Sequence, residues 1–322
     1  MIRRSAWITL RQHRFEVGAA VLFALLLGFA ALQVTSQLTG AGLSTECIDR
    51  WKSNDGNLAE GDQCVAAIQR FSTINEESGG KVLAMMAILP FAAGLLGGVT
   101  LVGRELETRT AQTAWALSPS RRRWFGRQLW PVVLVVGVAV GFAALAATAL
   151  VTTRLAWTGS AFQDMLLHGP VVLARALGTL GVGLVIGALL GRTLPAFLIA
   201  IVASVVLAVA MTFLREGWLN SQPLEMGPAN GGWGEMAWIT SGGYVGPDGT
   251  FLSYDQPLPI QPPEDVPDYD AWLADNGYRS VTLGVTTTRA LGWLPLEIAA
   301  WTVGGLVLIV ATVLVVDRRR PG

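Results

Sequence analysis

In 322 residues this chain carries 52% hydrophobic and only 14% charged residues, with a mean hydropathy of +0.48. That balance excludes an ordinary water-soluble globular domain and describes a polytopic membrane protein. The formal net charge is zero, and no basic stripe calls for a nucleic-acid partner.

Residues 1–16 bring Arg3, Arg4, Arg11 and Arg14 together with Trp7, a composition suited to a helix lying along the inner lipid headgroups. An ordinary positively charged flank is the competing reading. The apolar run that follows exceeds the h-region of a signal peptide, about 7 to 15 residues, and is expected to remain as a membrane anchor. Six stretches reach the roughly 20 residues that a helix needs to cross a hydrocarbon core. They are 17–35, 82–102, 129–151, 170–190, 193–214 and 291–316.

The first long connection, 36–81, holds both cysteines, Cys47 and Cys64. An even pair in an oxidising compartment points to a disulfide, which by chain entropy contributes about 3 kcal/mol for a loop of this size. Two free thiols or a metal site are weaker alternatives, since no histidine or third cysteine lies nearby.

Residues 103–128 form a polar segment between spans two and three, with six arginines and two glutamates between Arg104 and Arg127. It is expected to be helical and to face the cytoplasm. Within the spans, Gly94 with Gly98, Gly137 with Gly141, and Gly183 with Gly187 and Gly191 repeat every four residues, the spacing that lets helix backbones approach closely in lipid. Packing within one bundle is the expected use, with a seam between two chains as the alternative. Spans four and five meet almost directly at Gly191 and Arg192 and are predicted to form a tight antiparallel pair.

Only two formal charges fall inside spans, Arg175 and Glu297. Counted from the span starts at about 1.5 Å per residue, both come about 8 to 9 Å below the outer edge, so an ion pair between spans four and six is predicted. Outward snorkelling of Arg175, or a proton or ion relay, are the other readings.

The second long connection, 215–290, has ten acids against three arginines and is rich in Gly and Pro. Residues 237–245 and 250–254 are predicted to pair across a turn at Gly246, Pro247, Asp248 and Gly249. Asp268 is placed as the N-cap of a short helix that ends before Gly277. A small folded cap results, whose acidity either attracts cationic cargo or is simply a solvated surface.

Charge sorting sets the orientation. The N-terminal segment, the second and fourth connections and the tail at 317–322 carry 14 Lys+Arg against 4 Asp+Glu, while the other side carries 8 against 18. By the positive-inside rule both termini are cytoplasmic and the two long acidic connections face outward. The predicted class is thus an all-α polytopic membrane protein with six transmembrane helices, both ends inside, and a small mixed extracellular cap at 215–290.

The sequence contains no GxxxxGK[ST] loop, no HExxH and no GxSxG, so nucleotide hydrolysis by a P-loop, zinc proteolysis and serine hydrolysis have no residues to stand on. No catalytic, metal or cofactor residue is assigned.

With that layout, three local motifs carry a resemblance: Arg104-Glu105, the turn Thr108-Arg109-Thr110, and Pro119-Ser120-Arg121. Together with six spans and an outward cap before the last, they resemble the permease subunit of a type 2 ATP-binding-cassette (ABC) exporter. The opening Trp7, Arg11, Gln12, His13 and Arg14, with the cysteine pair, is similar to a branch common in GC-rich bacteria. Many family members place glycine in the threonine turn, where this chain has Arg109.

The resemblance implies two permease chains, identical or related, and two separately encoded ABC ATPase subunits that bind ATP and magnesium. It implies a bacterial plasma-membrane protein among membrane lipids that exports an amphipathic or lipid-like substrate. A helix around 105–116 would seat in a groove of the ATPase, with Leu106, Ala114, Trp115 and Leu117 as anchors and Glu105, Glu107 and the arginines fixing orientation. The coupling set is therefore Arg104, Glu105, Leu106, Glu107, Thr108, Arg109, Thr110, Trp115, Pro119, Ser120 and Arg121. A multi-span membrane enzyme or assembly factor, or a membrane receptor or sensor, is the alternative class; each would work through the outer cap and need no ATPase.

Overall fold

The computed structural model describes residues 7, 9–53, 62–111, 115, 120–158, 164, 166–167, 169–225, 236–260 and 268–318. Among the described residues, six helices are long and apolar enough to cross a membrane. They lie along α1 (Arg14–Gly40), α4 (Gly80–Glu107), α5 (Arg121–Thr158), α6 (Gly169–Leu190), α7 (Thr193–Asn220) and α10 (Leu294–Arg318). The short helices α2 (Thr45–Ser53), α3 (Gln63–Ile74), α8 (Tyr269–Asp275) and α9 (Thr287–Leu291) lie in the two long connections.

The chain divides into two compact units, with one boundary inside α7 after Met211 and another before Leu294. In the larger unit α6 is the hub: 67% of its most apolar window is buried, against 11% for α7 and 17% for α10. Its glycines explain that position. A side chain at Gly98 would come within 2.5 Å of the Leu180 carbonyl oxygen, and one at Gly183 within 2.9 Å of the Val99 nitrogen, so α4 and α6 touch backbone to backbone. On another face of α6, Gly178 lies under the Trp301 ring and Gly181 meets Gly305 of α10. Such contacts substitute dispersion for the hydrophobic drive that lipid does not supply. The Thr179 hydroxyl adds a hydrogen bond to the Pro90 carbonyl, at 2.9 Å.

The Gly137 and Gly141 pair behaves differently. Gly137 has nothing within 4 Å of an added side chain and Gly141 meets only Leu173 at 4.0 Å, so this pair makes no close helix crossing. Gly137 instead borders an apolar cavity of about 200 Å³ shared with Gly97, Val136 and Leu177. The α1 face that packs on α5 is a separate stripe, Ala20, Ala24, Leu27 and Ala31, meeting Ala139, Ala143 and Ala147. Leu22 and Leu26 stay exposed on its other side, while Phe29 meets the Phe142 ring of α5 with centroids 5.3 Å apart.

The connection at 36–81 is mostly helical rather than an open loop. Helix α3 runs through a π-helical turn, Asn75–Gly79, into α4, making one 45-residue rod. A disulfide joins Cys47 of α2 to Cys64 at the start of α3, with a Cα separation of 5.6 Å, and Leu43, Trp51 and Ile68 pack around it. The Asp62 carboxylate caps α3 by accepting from the Cys64 N–H. Gly191 takes φ +62° to turn α6 directly into α7.

Among its described residues the smaller unit holds a four-stranded antiparallel sheet in the order β1-β4-β2-β3. Its strands are β1 (Leu224–Glu225), β2 (Met236–Val245), β3 (Phe251–Ser253) and β4 (Arg279–Thr286). The predicted hairpin is β2 and β3 in the register Tyr244↔Leu252. In its turn Gly249 has φ +80°, and the Asp248 carboxylate accepts from both the Thr250 N–H and hydroxyl. Asp268 caps α8 by accepting from the Ala271 N–H at 3.1 Å. Strand β4, which pairs along most of β2, is an addition to what the sequence predicts.

Candidate functional site

The residues that follow span two gather the ends of four other long helices. Helix α4 carries its buried face, Gly94, Gly98, Leu101, down to Glu105, a spacing of four, three and four that keeps one side of a helix inward. It stops at Thr108, whose hydroxyl and N–H both bond the Arg104 carbonyl at 2.9 Å. Arg109 then takes φ +58°, and Thr110 and Ala111 resume a helical path. The continuous helix expected over 105–116 is therefore broken at 108–109, because the Thr108 cap closes α4 and a left-handed residue cannot extend a right-handed helix.

The polar groups of this turn are bonded to the ends of neighbouring spans. Arg104 donates to the Glu16 carboxylate of α1 at 2.6 Å. Glu107 accepts from the N–H and hydroxyl of Thr193, the first residue of α7, at 2.9 and 2.6 Å. Glu105 is only 7% exposed and accepts from the Thr110 hydroxyl at 2.5 Å. It holds the turn from inside and is not displayed for docking in this conformation. Its other near neighbour is His13, with Nε2 at 3.9 Å.

Trp115 packs edge-on against Trp124 of α5, centroids 5.7 Å apart, and the Arg121 guanidinium lies over the Trp115 ring at 4.8 Å. Arg121 also donates to the Asp317 carbonyl, and Arg122 to the Asp317 carboxylate, at 3.0 and 2.9 Å. That ties the start of α5 to the end of α10. Ser120 caps α5 by accepting from the Arg123 N–H. Leu106 is half-buried in the same apolar cluster as Trp115 and Trp124. Arg104, Glu107, Thr108, Arg109 and Thr110 are exposed. Pro119, Ala114, Ala116 and Leu117 lie outside the described residues.

The structure thus brings Arg104 to Thr110, Trp115, Ser120 and Arg121 into one cluster, and adds five residues not singled out for this site: His13, Glu16, Trp124, Thr193 and Asp317. Two had a visible signal. Asp317 is the single acid of a basic tail, and Thr193 opens a helix two residues after the one that closes at Gly191.

The second group lies deep in the larger unit. Arg175 of α6 donates from Nε to a Glu297 carboxylate oxygen at 3.0 Å, and its Nη2 is paired with the same oxygen. Glu297 is 1% exposed, and Arg175 also reaches the Leu166 carbonyl at 3.4 Å. A charged pair this enclosed joins α6 to α10 at one depth.

A family model described as ABC-2 membrane transporter related matches residues 17–215, more than half of the chain. The match takes in the first five long helices and the turn after α4, and ends before the sheet. No curated protein and no solved structure matches the chain.

Proposed function

Because the chain belongs to the ABC-2 membrane transporter related family, a group of multi-span ABC transporter permeases, we propose that it forms the translocation path of an exporter and takes mechanical work from separate ATPase subunits. The partners are two ABC ATPases, which bind the ATP and magnesium, and a second permease chain, identical or related. Both termini and the turn after α4 face the cytoplasm, in keeping with the +10 and −10 sorting of charge between the two sides. The disulfide and the sheet unit then face outward, where a disulfide persists. The cargo is an amphipathic or lipid-like molecule in the plasma membrane of a bacterium.

The observation that carries this reading is the bonding of one exposed turn to four spans: to α1 through Arg104, to α7 through Glu107, to α5 through Trp115, and onward to α10 through Arg121. A push on a turn so connected moves the ends of several helices together, as a lever between two discrete packings requires. Exposed Arg109 and Thr110 present the contact surface, while Glu105 and Thr108 keep it stiff.

Co-expression with a neighbouring ATPase gene tests the proposal. The ATPase should co-purify with the wild-type chain, and vesicle-reconstituted complex should hydrolyse ATP faster when cargo is present. Arg109→Asn removes the exposed charge while tolerating a left-handed backbone, and is expected to weaken co-purification without unfolding the bundle. Undiminished association in this variant would remove the turn from the interface.

A further inference from the structure

His13 stands at a joint. Residues 9–12 are helical, His13 itself has φ −104° and ψ 24°, and α1 begins at Arg14. The hydrogen-bond ladder continues across the joint, from the His13 N–H to the Thr9 carbonyl and from the Val17 N–H to the His13 carbonyl. Leu10 and Val17, on either side, pack into the cluster that holds Leu101, Ala111, Trp124 and Val316. The N-terminal segment is thereby docked against the turn after α4.

The imidazole at this joint is 2% exposed, and among the described residues neither ring nitrogen has a hydrogen-bond partner. The charged groups that act on it are Glu105 and Arg104 from α4 and Glu16 from its own helix. The nearest carboxylate oxygen, on Glu105, stands at 3.9 Å, beyond hydrogen-bond reach, and Glu16 is engaged by Arg104. A neutral ring fits this pocket as a flat apolar body. A protonated ring would bring two N–H donors and a charge into a buried place where no acceptor among the described residues lies within hydrogen-bond reach.

We infer that His13 is a proton-controlled positioning residue: its neutral ring packs the N-terminal segment against the turn after α4, beside Glu105, and protonation undocks it. Through the lever proposed above, on which this consequence rests, acidification would loosen the coupling of ATPase to permease. Electrostatics agree in direction. Burial lowers the His13 pKa below the ordinary histidine value, with Glu105 and Glu16 raising it in part and Arg104 lowering it. A group whose pKa is lower folded than unfolded binds fewer protons in the folded state, so docking is fully favoured above about pH 6.5 and weakens as pH falls from there through the folded pKa.

The test uses the full chain in lipid nanodiscs. With only two histidines in the sequence, His168→Gln leaves one imidazole, whose nitrogen-15 resonance follows His13 alone. Its titration midpoint should lie below that of a free histidine and fall further in Glu105→Gln, which removes the largest influence raising it. A midpoint at the free value, or one indifferent to Glu105→Gln, overturns the inference. Both native cysteines are in the disulfide, so a nitroxide on Trp7→Cys reports the N-terminal segment. Its spectrum should sharpen between about pH 7.5 and about pH 5.5; in His13→Phe the acid response should be lost, and His13→Gln provides a second neutral variant should the first not fold. Equal acid mobilisation in these variants also overturns it. Neither readout needs the ATPase. If both hold while ATPase activity of the assembled complex shows no His13-dependent pH profile, the joint stands and the lever reading falls.

Discussion

Arg109 occupies a backbone conformation that costs an ordinary residue about 1 to 2 kcal/mol, and nothing in the turn's hydrogen bonding requires an arginine side chain to hold it. Its own N–H donates to the Leu106 carbonyl, at 3.3 Å. Arg109→Gly should therefore raise unfolding stability by about 1 kcal/mol while weakening ATPase association, and Arg109→Val should lower stability by a similar amount. Thermal unfolding in lipid, read beside co-purification, separates the two effects. An unfavourable residue where glycine fits is a strain that the proposed docking surface would account for. Glu105 teaches a complementary lesson. Read as sequence, Arg104, Glu105 and Glu107 are three charges in one polar stretch, and nothing local says which turns inward. Extending the Gly94, Gly98, Leu101 phase by four residues identifies Glu105, but only once α4 is known to continue past the end of its apolar run. Replacing it with Ala would remove one acceptor of the exposed Thr110 hydroxyl, which the Thr108 hydroxyl still meets at 2.9 Å, and cost about 0.5 to 1.5 kcal/mol, whereas Gln keeps an acceptor in place.

At the level of elements, the six apolar runs were legible because each is a continuous stretch of one kind, and the β2–β3 hairpin because its turn residues lie between its strands. Strand β4 was not, because its partner β2 lies some forty residues earlier and the short run Arg279–Thr286 leads straight into α9 and the last span. The glycine spacing was half informative: Gly94, Gly98 and Gly183 mark true crossings, while Gly137 and Gly141 carry the same spacing and make no close backbone approach. Spacing identifies a smooth strip, and only the neighbours decide whether a helix lies on it. At Gly98 the neighbour is backbone, which cannot rotate away, so Gly98→Val should separate α4 from α6 and abolish a stable bundle. The same change at Gly137 should be tolerated, as measured by monodisperse recovery from detergent. For the α2–α3 connection, closing a segment with a sequence separation of 17 predicts a loss of about 3 kcal/mol in Cys47→Ser with Cys64→Ser, confined to that connection. Hydrogen exchange should rise across α2 and the start of α3 and remain unchanged in α6.

Across the whole molecule, the two charged clusters differ in how far they face solvent. The turn cluster is largely solvent-facing, and its ion pairs, such as Arg104 with Glu16 at 47% and 18% side-chain exposure, can break and re-form at little cost. The Arg175–Glu297 pair is enclosed and joins α10 to α6, on a helix that otherwise buries little of its surface. Removing one partner leaves an uncompensated charge inside the bundle, a loss of about 3 to 5 kcal/mol, while replacing both with apolar residues of similar volume is commonly neutral or better. Arg175→Met and Glu297→Leu should each reduce the yield of folded protein, and the double variant should restore it. Transport by the restored protein then separates two roles. If it transports at the wild-type rate, the pair is a fastener that fixes α10 on α6. If it folds and binds the ATPase but no longer transports, the pair must open and close during the cycle. Because α10 is held both here and at Asp317, a rotation of the turn that releases Asp317 would leave α10 pivoting about Glu297. Crosslinks between α7 and α10 in the presence and absence of ATP should then change most near the Asp317 end and least beside Glu297.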